Sequence, residues 1–118
     1  MLEGDDYLRF EKDKARHLVD LKTGERFRSP MDEDGSAGDF GYLARLPRLD
    51  GRGTFLYAAG IHAIGANGVV HFLEKNLPEL CREMRTRRFS TVISCHYDPK
   101  TLEVLDSKRV IPLYRHEG

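Results

Sequence analysis

The chain has 118 residues, room for one domain, with 40% hydrophobic and 32% charged residues and a mean hydropathy of −0.52. Nineteen basic and nineteen acidic side chains cancel to a formal net charge of zero. Together these values exclude a disordered chain, a coiled coil and a collagen-like repeat, and a neutral chain also lacks the electrostatic footprint of a nucleic-acid binder.

No apolar run approaches the ~18–20 residues a membrane helix needs, and the N-terminus lacks the basic-then-apolar order of a signal peptide. Cys81 and Cys95, both flanked by apolar residues, have no zinc-type spacing and read as buried structural thiols. The expected setting is a reducing cytoplasm, with no membrane, nucleic acid or bound metal, and with no cofactor identified.

Residues 7–29 read as a β-meander. Tyr7 to Phe10 alternates, Asp13-Lys14 turns, His17 to Val19 resumes, and a Gly24 turn leads into Arg26 to Arg28. Residues 30–39 read as an acidic loop with almost nothing to bury. From residue 41 onward a β-β-α-β-β-β core is expected, within a single domain over residues 1–118.

Gly41 to Leu46 forms an imperfectly alternating strand that stops at Pro47. The turn Asp50-Gly51-Arg52-Gly53 leads into Thr54-Phe55-Leu56-Tyr57-Ala58-Ala59. Phe55 and Tyr57 point one way and Leu56 the other, so neither face is polar. Such a strand belongs in the middle of a sheet covered on both faces.

Val69, Leu73, Leu77, Leu80, Cys81 and Met84 recur at three- and four-residue intervals and predict a helix. Pro78 predicts a kink or a second, nearly collinear helix capped by Asn76 and Glu79. Arg82, Arg85, Arg87 and Arg88 suit its C-terminus. Beyond it, Thr91 to Cys95 and Leu102 to Leu105 predict strands, Asp106-Ser107-Lys108 a turn, and Val110 to Tyr114 an edge strand broken by Pro112.

The order strand, glycine turn, helix is where α/β proteins hold phosphate, because free amides and the helix dipole converge there. The turn reads Gly60-Ile61-His62-Ala63-Ile64-Gly65-Ala66-Asn67-Gly68. Ala66 and Asn67 replace the Lys and hydroxyl of a P-loop, and Ala63 replaces the first glycine of a dinucleotide fingerprint. What stays is a three-glycine turn, with Gly60, Ile61, His62, Gly65, Ala66, Asn67 and Gly68 as the candidate ligand-binding residues. Asn67 is placed to cap the helix. His62 is the candidate catalytic group, because an imidazole at a strand end can touch a ligand or move a proton.

Other pairings carry less. Cys95 and His96 are strand neighbours and point to opposite faces. His71 and Cys81 are ten residues apart on one helix, and Asp39-Phe40-Gly41 spells a kinase tripeptide without the rest of a kinase.

Residues 39–70 resemble the second half of a poorly characterised Rossmann-like domain found in actinobacterial regulatory and defence-related proteins and in archaeal surface-layer proteins. Asp39, Gly41, Arg45, Pro47, Gly60, Ile61, His62, Gly65 and Gly68 carry the resemblance. It implies a fold rather than a reaction, and the preceding half of that domain is absent from this chain.

The expected fold class is therefore α/β (or α+β). It would be a Rossmann-like three-layer remnant with a mixed sheet, one long kinked helix, and N- and C-terminal hairpins or meanders. Three functions compete. The first is a ligand-sensing module holding a phosphate-bearing, nucleotide-like molecule at Gly60 to Gly68. The second is a non-catalytic assembly module, and the third a His62-dependent hydrolase of nucleotide-like substrates. A strand apolar on both faces needs two covers and the chain offers one helix, so either the meander of residues 7–29 or another chain must cover the second face, and a homo-oligomer or a larger protein partner is expected.

Overall fold

The computed structural model describes residues 5–85 and 87–116. The fold is α+β. A small antiparallel sheet is built from β1 (Leu8–Lys12), β2 (Arg16–Asp20) and β3 (Arg26–Phe27). After a short helix α1 (Pro30–Glu33) comes a second sheet of β4 (Gly38–Pro47), β5 (Thr54–Gly60), β6 (Phe89–Tyr97), β7 (Val104–Arg109) and β8 (Tyr114–Arg115). Helix α2 (Ala63–Met84) joins β5 to β6. No helix among the described residues is long and apolar enough to cross a membrane.

The strand order is β5-β4-β6-β7, with β8 beside β6. Every pairing is antiparallel, so the expected mixed sheet is not formed. Because β5 and β6 both run antiparallel to β4, they run parallel to each other with β4 between them. The β5-α2-β6 segment is thus a split βαβ unit. That explains why its sequence carries the strand-turn-helix signature of a parallel α/β protein.

The strand expected at the centre, β5, is an edge, and β4 and β6 hold the centre. The alternation of β4 is complete once both layers are seen. Leu43 joins Val69, Phe72, Leu80 and Met84 of α2, together with Phe89 and Ile93 of β6, in one core. Tyr42, Ala44 and Leu46 point the other way into a second core with Leu8, Leu18 and Phe27 of the meander. Each leucine, isoleucine, valine, methionine or phenylalanine among them contributes about 1.5–3 kcal/mol on burial. The meander therefore covers the face for which a partner was expected, and both faces of the central strands are closed by the chain itself. Phe55 and Leu56 of β5 stay 42% and 37% exposed.

Helix α2 is one element of 22 residues that runs through Pro78. Asn76 caps no second helix; its Nδ2 donates to the Phe72 carbonyl at 2.9 Å. The helix also starts earlier than expected, at Ala63, so Gly65, Ala66, Asn67 and Gly68 lie in its first turns rather than in a loop. Exposed Asn67 does not cap it; His62 takes the N-cap position without a side-chain cap bond. Glycine in a helix costs ~1 kcal/mol against alanine, and here the sheet demands it. A Cβ on Gly68 would lie 2.5 Å from Cys95 Sγ, and one on Gly41 would lie 2.6 Å from the Gly65 carbonyl.

Two further differences have local causes. Residues 30–39 are not all loop, because Pro30 at the helix start nucleates α1 and Asp39 lies fully buried in β4. The expected turn at residues 106–108 is strand, held by His96 Nδ1 on Asp106 at 2.8 Å and by His71 Nδ1 on the Ser107 hydroxyl at 2.7 Å. Cys95 is buried as expected, whereas Cys81 is exposed.

Candidate functional site

Gly60 ends β5, and the chain turns straight into α2. Three of its amides are already engaged there. Ile61 N donates to the Phe40 carbonyl at 3.0 Å, Gly65 N to the His62 carbonyl at 3.0 Å, and His62 N to Asp39 Oδ2 at 2.9 Å. The glycines face protein as well. A Cβ on Gly60 would sit 2.1 Å from the His62 carbonyl oxygen, and one on Gly65 would sit 2.5 Å from both Asp39 Oδ2 and the Phe40 carbonyl. The carboxylate of Asp39 thus stands where an anion would sit at the start of a helix.

Asp39 is fully buried, and its Oδ1 has no hydrogen-bond partner. Burial raises its carboxyl above the ordinary range, against the opposing pull of the His62 amide. Burial also pushes the neighbouring Cys95 thiol up to about 11, aided by the negative charge of Asp39. That thiol is a packing group beneath Gly68 and not a nucleophile.

The raised Asp39 value has a consequence for stability. The folded chain keeps this proton to higher pH than the unfolded chain does. The stability from neutral Asp39 is therefore complete below the unfolded value of about 3.9, and it is lost as pH rises through the folded value. Asp39→Asn lacks that slope and is expected to gain on the wild type between about pH 4 and neutrality. Urea denaturation at both ends of that range checks it; a gap between the two proteins that does not change with pH contradicts it.

The imidazole of His62 is not alone. Its Nε2 lies 2.9 Å from Asp32 Oδ2, with the two side chains 39% and 29% exposed. The short helix α1 delivers Asp32 from a segment whose sequence reads as an acidic loop. The signal was present: Ser29-Pro30 followed by Asp32 and Glu33 has the composition of a helix first turn. Nothing in sequence spacing pairs Asp32 with a residue 30 positions away. Among the described residues, the hydrogen-bond partner of the His62 ring is this carboxylate. The remaining expected pairings separate. Cys95 is buried while His96 is exposed on the other face, and His71 bonds Ser107 rather than approaching Cys81.

A second polar cluster was not foreseen. Ser90 Oγ lies 2.9 Å from His116 Nε2, and Asp5 Oδ1 lies 3.4 Å from the same nitrogen. Asp5 also accepts from Tyr42 Oη and from the amides of Tyr7 and Leu8. By residue type this is a Ser-His-Asp set. A nucleophilic triad needs serine and carboxylate on opposite ring nitrogens and an open serine. Here both partners meet Nε2 and Ser90 is fully buried, so the cluster clasps β1 and the C-terminal segment onto β4 and β6.

Among the described residues, no group of three or more His, Cys, Asp or Glu side chains is placed to hold a metal. Comparison with protein-family models, with curated proteins and with solved structures returns no match.

Proposed function

We propose that the chain is an assembly module whose interface is the free edge of β5, taken up by β5 of a second copy. The carrying observation is the contrast between edges. An exposed strand edge is an open row of amides and carbonyls, and proteins that must stay apart blunt such edges with charges or proline. The outer strand β7 (VLDSKR) does so with Asp106, Lys108 and Arg109, and β1 (LRFEK) with Arg9, Glu11 and Lys12. The sequence of β5, TFLYAAG, has no charge and no proline over seven residues.

The apolar surface next to β5 supports the same reading. Phe55 and Leu56 are exposed on its two faces, and Val70 and Leu77 are exposed on α2. His71 and Glu83 reach Ser107 and Arg109 on β7. Val70 and Leu77 lie on the opposite flank of the helix, toward β5. The zero net charge removes the overall repulsion that would oppose two copies meeting.

The turn at Gly60 to Gly68 weighs less in this reading, because a phosphate there would compete with Asp39 for the amide of His62. The hydrolase reading gains an orienting acid in Asp32 but, among the described residues, no nucleophile in contact with His62.

Leu56→Lys tests the proposal by placing a charge on the edge. Sedimentation velocity is expected to show a dimer for the wild type at tens of micromolar and a monomer of unchanged circular dichroism for the variant. A wild type that stays monomeric throughout that range contradicts the proposal.

A further inference from the structure

Resting on that reading, we infer that the two β5 strands pair antiparallel about Tyr57, and that this register sets Arg52 of the partner subunit opposite His62, so that a guanidinium from each copy completes the His62–Asp32 pair of the other.

The register follows from side-chain volume and charge together. Pairing Thr54–Gly60 with itself over its full length places Tyr57 at the two-fold axis, Leu56 opposite Ala58, and Phe55 opposite Ala59. The first two pairs follow the alternation that the β4 partners fix. Ala58 sits beside Leu43 and Leu56 beside Arg45 on the helix side, whereas Tyr57 sits beside Ala44 and Phe55 beside Leu46 on the meander side. Leu56 then meets Ala58 on the helix side and Phe55 meets Ala59 on the meander side, with Tyr57 beside its own copy at the axis. A shift by one step toward the strand start sets Leu56 against Leu56 and Phe55 against Tyr57, crowding one end and leaving the alanines against Thr54 or outside the ladder. Directly opposed side chains lie about 4.5–5.5 Å apart at Cβ, so volume disfavours that shift. The opposite shift packs as well but sets Thr54 rather than Arg52 toward the His62 end, so charge selects Tyr57 for the axis.

Charge fixes the direction. The start of β5 follows a turn carrying Arg48 and Arg52, and its end leads to His62, with Asp32 on the ring and Glu33 and Asp34 beside it in sequence. Antiparallel pairing sets each basic end against an acidic end, twice, and closes the assembly at two copies. Parallel pairing would set arginine against arginine.

Past the strand ends at Thr54 and Gly60, the turn that carries Arg52 in one copy comes to the end that carries His62 in the other. Arg48 is occupied by Asp50 at 3.0 Å. The backbone amide of Arg52 is held by Asp50 at 2.9 Å, and among the described residues no acid meets its guanidinium. Asp32 is exposed enough to accept it, and a carboxylate takes a guanidinium through two parallel hydrogen bonds. The result is a site that neither copy holds alone.

Charge reversal tests the pairing in the full chain. Arg52→Glu and Asp32→Arg are each expected to raise the dimer dissociation constant at least tenfold, and the double variant to return it to within about threefold of the wild type. A Cys81→Ser chain carrying Tyr57→Cys should also cross-link to itself under mild oxidation, whereas one carrying Ala59→Cys should not. A wild-type dimer that ignores both reversals, or that cross-links through residue 59 and not 57, overturns this inference and leaves the β5 interface standing. Absence of any wild-type dimer overturns both.

Discussion

Gly60→Ala is expected to destabilise the fold by about 3 kcal/mol or more, at the upper end of what overpacking costs. The added methyl would lie 2.1 Å from the His62 carbonyl oxygen, 2.5 Å from Ala66 N and 2.7 Å from Gly65 Cα. All three are backbone atoms of the α2 start, so no side-chain rotation relieves the clash. The only relief is to lift the helix from the sheet, which would break the His62 amide bond to Asp39 and loosen Val69 over Gly41. A fall in Tm of roughly 10 °C or more follows for a domain of this size. Gly51→Ala is the control. Gly51 has φ +70° and nothing within 4 Å, so it should lose only the ~1 kcal/mol of a left-handed alanine. Equal losses in calorimetry would show that close approach at Gly60 is not the cause.

Asp5→Ala is expected to cost as much, about 3–5 kcal/mol, because it strips a buried cluster of its carboxylate. Three donors lose their acceptor together, the hydroxyl of Tyr42 and the amides of Tyr7 and Leu8, and the His116 ring loses the carboxylate 3.4 Å from its Nε2. The Asp5 side chain is wholly buried and that of His116 is 5% exposed, so water does not replace the lost bonds. Asp5→Asn keeps one acceptor oxygen and should lose less than half as much in urea denaturation. If both variants lose equally, the effect comes from packing rather than from hydrogen bonding.

The elements most legible in the sequence were those with their own period. The stripe from Val69 to Met84 defined most of α2, and Thr91 to Cys95 defined the heart of β6. Features set by distant residues were not legible. Gly65 and Gly68 read as a turn on propensity, and only Asp39 and Cys95 on neighbouring strands explain why they are helical. The apolar pattern of β5 reads as burial, because hydrophobicity does not distinguish a covered strand from one waiting to be covered. The candidate site was half legible. His62 was singled out, while Asp32 and Asp39 reach it from 30 and 23 positions away. The clasp of Asp5, Ser90 and His116 joins residues from both ends of the chain, and no local pattern marks it.

The outer edge of β5 is either open or paired in solution. In an open edge strand, alternate amides face solvent and exchange quickly, whereas pairing protects them. Amide hydrogen exchange across residues 54–60, followed by mass spectrometry over a dilution series, reads this directly. The expected result is protection at high protein concentration that fades on dilution, while the exchange of β7 does not change. Fast exchange of the outward β5 amides at every concentration would contradict assembly through this edge.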